Sequence, residues 1–246
     1  MSVRSDLGAQ VNKALRPLNV QLVPGTTPDP AVKPYRSARK TIAAAKAAGL
    51  SVSAYIDKTH VVPGATPAVV KEMLEIAGLS GKCQTVCEIG PGTGRFAEEV
   101  IAALHPDTYE IYETARDWLP HLRKLPNAVL HPSDGHSLGS TRDDSVDLVH
   151  AQKVFVYLPF YASAGYIAEM ARVVRPGGTV TFDLATEDCL EESTVRSWIE
   201  KGTIYNPFPK QWLLSFLAER HLVLAGSFFT PLPPGRAEVL VFQKKG

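Results

Sequence analysis

The sequence predicts an α/β fold built on a mostly parallel sheet, and three observations predict it. From Gly81 onward, strand-length apolar runs alternate with helix-length segments, the pattern of parallel βαβ units whose sheet is covered on both faces. A glycine-rich turn, Gly90 to Gly94, follows the first of those runs and opens a helix. The last two strand patterns are joined through Pro231-Leu232-Pro233-Pro234-Gly235, which leaves no crossover helix and makes them antiparallel neighbours.

The elements follow in chain order. Scattered prolines and the turn-rich run at residues 23–34 precede a stretch of good helix formers, Ser37 to Ala48, that ends at Gly49. Tyr55 to Gly64 reads as a polar loop, and Thr66-Pro67 as N-cap and first position of a helix whose buried face is Val69, Val70, Met73, Leu74 and Ile76. Strands are then expected at Val86 to Ile89, Thr108 to Tyr112, Ala128 to His131, Val146 to His150 and Thr179 to Leu184. The intervening helices are expected at Arg95 to Leu104, Ala115 to Lys124 and Tyr161 to Val174, the last broken by Pro176-Gly177-Gly178. A helix at Gln211 to Arg220 and strands at Leu222 to Phe229 and Glu238 to Gln243 complete the chain. Two regions emerge: a helical extension or cap at residues 1–80 and an α/β domain at residues 81–246.

Composition narrows the functional classes. With 45% of 246 residues hydrophobic, the chain can bury a large core. A formal charge of +1 gives no overall field for nucleic acid or membrane. That total conceals a split: residues 1–80 carry ten basic and five acidic side chains, the remainder sixteen and twenty. The basic front segment suits docking on an acidic body or a solvated surface, with RNA contact as the rival. Cys83, Cys87 and Cys189 have neither zinc nor redox spacing, and no metal site is expected. No apolar run reaches transmembrane length and the amino terminus lacks a secretory core, so a cytoplasmic protein is expected.

The informative segment is Val86-Cys87-Glu88-Ile89-Gly90-Pro91-Gly92-Thr93-Gly94-Arg95-Phe96. Missing Cβ atoms in such a turn let a ligand approach the backbone at a helix N-terminus. The dinucleotide fingerprint would place its third glycine where Arg95 stands, and the Gly-Lys-Ser/Thr of a P-loop is absent. What remains is an acidic residue, a hydrophobe and G-x-G-x-G. Some 20 residues on, Glu113 closes the second strand, and Asp134-Gly135-His136 follows the third.

In these motifs the sequence resembles the class I S-adenosylmethionine-dependent methyltransferases. The resemblance implies a Rossmann-like sheet of seven strands, six parallel and the seventh antiparallel, with ligands beyond the carboxyl ends of the strands. It further implies that Glu88, Gly90, Gly92, Gly94, Glu113, Asp134 and Gly135 hold S-adenosylmethionine, with Tyr55, Thr114, His136, Ala151 and Gln152 beside them. Glu113 would accept both ribose hydroxyls; its alternative is a solvated carboxylate or an N-terminal charge on the helix after Thr114. Asp134 would accept from the adenine amino group, and Gly135 would leave room for the ring.

The acceptor is less defined. Nucleobase N-methyltransferases carry an N/D-P-P-Y/F motif after the fourth strand; here Ala151-Gln152-Lys153-Val154-Phe155 has neither proline. Gln152 stands as a candidate for the methionine end or the acceptor, or as a helix cap. A hydroxyl acceptor benefits from a base, and histidine suits neutral pH. The candidates are His60 and His136, while His150 falls inside a strand pattern and reads as a buried, hydrogen-bonded side chain. The stretch Asp183 to Pro209 mixes aromatic and polar residues that suit a sugar ring or, equally, serve as core anchors, and no ligand spacing among Thr186-Glu187-Asp188 supports a divalent ion. The expected function is O-methylation of a sugar or oligosaccharide hydroxyl, as in bacterial sugar and polysaccharide O-methyltransferases. The partner is a small-molecule or oligosaccharide acceptor rather than nucleic acid or membrane, and a homodimer is compatible with the sequence. The rivals are an RNA methyltransferase using the basic front and a cofactor-binding interaction protein without catalysis.

Overall fold

The computed structural model describes residues 36–201 and 205–246. The turn-rich run at residues 23–34 and the rest of the front segment before Arg36 lie outside the described residues, as does Ile204. Among the described residues no helix is long and apolar enough to cross a membrane.

Seven strands form one sheet in the order β3-β2-β1-β4-β5-β7-β6. They are β1 (Thr85–Ile89), β2 (Thr108–Tyr112), β3 (Ala128–His131), β4 (Val146–Ala151), β5 (Val174–Leu184), β6 (Leu222–Leu232) and β7 (Gly235–Lys244). The pairs among β1 to β5 are parallel, and β7 runs antiparallel to both β5 and β6. This is the expected Rossmann-like sheet with an antiparallel seventh strand. Asp147 fixes the strand starts at the end of the sheet away from the site: its Oδ2 accepts from the Gln84 and Thr85 N–H groups and its Oδ1 from Arg175.

The helices are α1 (Ala38–Ala47), α2 (Val52–His60), α3 (Ala65–Ala77), α4 (Arg95–Leu104), α5 (Leu119–Leu122), α6 (Phe160–Val173), α7 (Glu192–Lys201) and α8 (Lys210–Ala218). One sheet face packs on α6 and α8, burying Ile167, Met170, Leu213 and Leu217 against Phe182, Leu240 and Phe242. The other face packs on α1 to α4, where Ala45, Ile56, Val70, Met73 and Val100 share one apolar cluster with Val86, Ile111 and Val239. The front helices therefore bury their apolar sides on the same sheet as the rest of the chain. Two bonds tie the start of α1 to the loop after β2: Trp118 Nε1 donates to the Arg36 carbonyl, and Ala38 N–H donates to Asp117 Oδ2.

Four local expectations are corrected. Tyr55 to Gly64 is mostly helix, because Ser51 Oγ caps the Ala54 N–H and the buried Val52, Ser53 and Ile56 form an inward face that polar neighbours disguise. Thr66 is not the cap of α3: the helix starts at Ala65 after Gly64, and the Thr66 hydroxyl donates to Asp57 Oδ1 at 2.8 Å. The helix expected at Ala115 to Lys124 shrinks to Leu119–Leu122, since Pro120 is compatible only with a first turn. Finally, Pro176-Gly177-Gly178 does not precede β5 but lies within it, beside an irregularity in the β4–β5 register at Val146/Leu148.

Candidate active site

The crevice is built on the turn between β1 and α4. Gly90 and Gly92 adopt left-handed φ of 63° and 53°, which side chains other than glycine rarely accept. A Cβ on Gly90 would meet Val154 Cγ2 at 2.8 Å, so this glycine lets the loop after β4 close on the turn. A Cβ on Gly92 would meet nothing within 4 Å, so its backbone faces open space.

Glu113 ends β2 beneath that turn. Its Oε2 accepts from the Gly92 N–H and its Oε1 from the Ala115 N–H, both at 2.7 Å. Burial pushes this carboxyl up, against the downward pull of those backbone N–H groups. Thr114 continues into the loop, where its Cγ2 lies 3.8 Å from the Cβ position of Gly135, so the loops after β2 and β3 abut. Asp134 turns back on its own loop. Its Oδ1 accepts from the N–H groups of His136 and Ser137, and its Oδ2 accepts from the Ser137 hydroxyl. These bonds, the Ser137 hydroxyl foremost, pull its carboxyl down to about 2.

Glu88 is sunk within the sheet rather than open to the crevice. Its Oε2 accepts from the Tyr109 hydroxyl at 2.8 Å, and the same hydroxyl lies 2.8 Å from His150 Nε2. Burial pushes Glu88 up to about 8 and His150 down to about 3. His150 is the buried, hydrogen-bonded side chain expected from its place in β4. Tyr109 was not foreseen; a hydroxyl in a strand pattern carries no sequence signal until the register sets it between two buried ionisable groups.

Beyond β4, Ala151 packs in the core with Ile89 and Phe155. Gln152 is buried under α3, with Nε2 3.8 Å from Met73 Sδ and Oε1 without a hydrogen-bond partner. Lys153 follows with φ 60°. Its N–H donates to Asp183 Oδ1 at 2.6 Å, and its Nζ lies 2.9 Å from Asp183 Oδ2 and donates to the Pro231 carbonyl. Asp183, fully buried at the end of β5, thereby clasps both ends of one residue.

A cavity of about 190 Å³ opens between the turn, the end of α2 and the β6–β7 hairpin. Thr93, His60, Arg95, Lys153, Tyr157 and Tyr205 are among its lining residues. His60 is thus brought to the glycine-rich turn, with its ring edge-on to Tyr55 at 6.2 Å. Tyr55 lies partly buried on the α2 cluster and does not line the cavity. Nor does His136, an exposed residue bonded to Asp134. Arg95 Nη1 is held by Thr66 Oγ1 and lies 3.6 Å from Asp57 Oδ1, so α4, α2 and α3 meet at one guanidinium. Lys153, Asp183, Arg95 and Tyr157 were not among the residues singled out from the sequence, because the fold alone brings them to a common wall.

Residues 87–182 match a family described as a methyltransferase domain. No curated protein matches the chain. Among solved structures, the chain is similar to the putative methyltransferase in a complex with the Trm112 methyltransferase activator from Haloferax volcanii, at 15% identity and TM-score 0.56, covering 84% of this chain and 98% of that one. It is similar to an O-methyltransferase family protein from Burkholderia thailandensis, at 17% identity and TM-score 0.56, covering 79% and 60%. It is also similar to the N-methyltransferase NodS from Bradyrhizobium japonicum bound to S-adenosylhomocysteine, at 17% identity and TM-score 0.53, covering 73% and 87%.

The crevice fits the corresponding cofactor. A backbone facing open space at Gly92, a carboxylate joined to it at Glu113 and a buried orphan acceptor at Gln152 Oε1 supply an approach, a diol partner and an unfilled bond. Each Glu113 oxygen keeps a lone pair beyond its backbone bond, enough for two neighbouring hydroxyls. Residues 87–182 of this Rossmann-like sheet thus match a methyltransferase domain, and the cofactor that fits is S-adenosylmethionine.

Proposed function

We propose that the protein methylates a hydroxyl oxygen of a small polar acceptor, a sugar or oligosaccharide, with His60 as the base. The observation that carries this reading is that His60 lines the same cavity as Thr93, the residue after the Gly92 whose N–H meets Glu113. The cofactor supplies a methyl group on a positive sulfonium, an electrophile that needs little activation. The chain's residues then have to align the acceptor, exclude water and take one proton. In this reading Glu113 and the glycine-rich turn hold the ribose side, and Asp134 and Gly135 lie beside the adenine. Gln152 Oε1 meets the methionine ammonium.

Methyl transfer to the acceptor hydroxyl would form the C–O bond as the cofactor's C–S bond breaks, the C–S electron pair staying on sulfur. The hydroxyl proton passes to the His60 imidazole. Tyr157 and Tyr205, with ring centroids 5.5 Å apart in a tilted arrangement, offer faces and hydroxyls to a sugar ring. His136, outside the cavity wall, takes no acceptor role in this reading.

The test is methyl transfer from labelled S-adenosylmethionine to a panel of saccharides, phenolics, carboxylates and tRNA. Label in a saccharide ether is the expected result. Label confined to tRNA, with affinity that falls steeply with salt, would favour the RNA reading instead. Tight cofactor binding with no turnover on any member would favour the non-catalytic one.

A further inference from the structure

We infer that the acceptor carries an anionic group, a carboxylate or a phosphate, and that Arg36 and Lys153 on the wall of the His60 cavity receive it. This rests on the proposed function and names the substrate class of that same site.

The sign of the wall carries the argument. Arg36, Arg95 and Lys153 are its permanent cations, His60 is a fourth basic group, and no described Asp or Glu lines the space. Two carboxylates stand behind the cations rather than in the cavity: Asp57, 3.6 Å from Arg95, and Asp183, 2.9 Å from Lys153. They offset two of the three permanent charges and leave Arg36 as the excess. An anion entering the cavity would neutralise that excess charge and be attracted by it.

The wall also holds the Lys153 charge still. Lys153 is fixed at three points, through its N–H and Nζ to Asp183 and through Nζ to the Pro231 carbonyl. Its left-handed φ of 60° is a conformation that a lysine holds only when its surroundings impose it. The Arg36 carbonyl accepts from Trp118 Nε1, which ties its backbone at the start of α1, and the residue lines the cavity. Burial and the field of Asp183 push the Tyr157 hydroxyl up, while the fields of Arg95 and Arg36 pull it down. A neutral sugar would leave this excess charge uncompensated, whereas a uronate or a sugar phosphate neutralises it and gains charge-assisted bonds.

The experiment titrates inorganic phosphate and, separately, acetate into the full-length protein saturated with S-adenosylhomocysteine, at constant ionic strength set with chloride. Binding of S-adenosylhomocysteine itself is measured first. Saturable binding of at least one anion is expected, weakened at least tenfold in Arg36→Met and largely retained in Arg36→Lys, while both variants bind S-adenosylhomocysteine as the wild type does. Phosphate binding alone assigns a phosphorylated acceptor, and acetate binding alone a carboxylated one. The inference is overturned if neither anion saturates, if Arg36→Met binds as tightly as the wild type, or if the anion binds only without S-adenosylhomocysteine. That last outcome would give the cations to the cofactor's own carboxylate. Failure to bind S-adenosylhomocysteine at all would sink the proposed function by itself, whatever the anion does.

Discussion

Glu113 Oε2 accepts a 2.7 Å hydrogen bond from the Gly92 N–H, so the end of β2 is joined to the middle of the glycine-rich turn after β1. One carboxylate thereby shapes the turn and presents its remaining lone pairs to the crevice. Glu113→Ala is expected to weaken S-adenosylhomocysteine binding by about 1.5–3 kcal/mol, the range of a hydrogen bond to a charged group. Calorimetry checks this, and unchanged affinity would remove Glu113 from the ribose.

His60 is the last residue of α2 and lines the cavity with Thr93. With an acceptor in hand, His60→Ala should lower kcat by roughly a hundredfold or more, the usual contribution of a positioned base. Affinity for S-adenosylhomocysteine should not change. Equal kcat in the two proteins would show that the hydroxyl loses its proton elsewhere.

The buried trio of Glu88, Tyr109 and His150 sets a pH window for stability. Burial, with the field of Glu113 adding to it, raises Glu88 to about 8 from 4.5, so its contribution is full at low pH and lost as pH rises toward 8. Burial lowers His150 to about 3 from 6.5, so its contribution is full above 6.5 and lost as pH falls toward 3. Between about 4.5 and 6.5 the two slopes cancel, and this trio is expected to be most stabilising there. Glu88→Gln should flatten the loss of Tm between pH 6.5 and 8, keep the acid limb below 4.5 and extend it up to 6.5. An identical alkaline limb in wild type and variant would place its cause in other groups.

Asp183 is fully buried and clasps Lys153 through both the backbone and the ammonium. Asp183→Ala leaves a buried N–H and a nearly buried cation without this partner, a change expected to cost about 3 kcal/mol of unfolding free energy. Asp183→Asn keeps an acceptor for the N–H and should cost less. Urea midpoints with unchanged m-values measure both, and a loss below about 1 kcal/mol for the alanine variant would mean that solvent replaces the clasp.

The succession of strands and helices along the chain, the antiparallel close and the glycine-rich turn are legible in the sequence because each depends on local rules. Alternation with helix-length segments implies parallel strands, a proline-rich link too short for a helix implies an antiparallel pair, and positive φ selects glycine at Gly90 and Gly92. By the same rules Glu113 and Gly135 could be placed after strand ends before any contact was known.

Tertiary structure decided the rest. Helix α2 reads as a loop in the sequence because only Val52, Ser53 and Ile56 are buried, and three buried positions in nine residues give weak periodicity. Only packing showed that His60 shares a wall with Thr93, Arg95 and Lys153 while His136 does not, since residues from α2, α4, the β4 loop and the β6–β7 hairpin meet across large separations in the chain. Sequence determined which backbone positions could admit a cofactor. The fold determined which charges surround its neighbour, because the sum of fields in a cavity depends on distances that no spacing along the chain records.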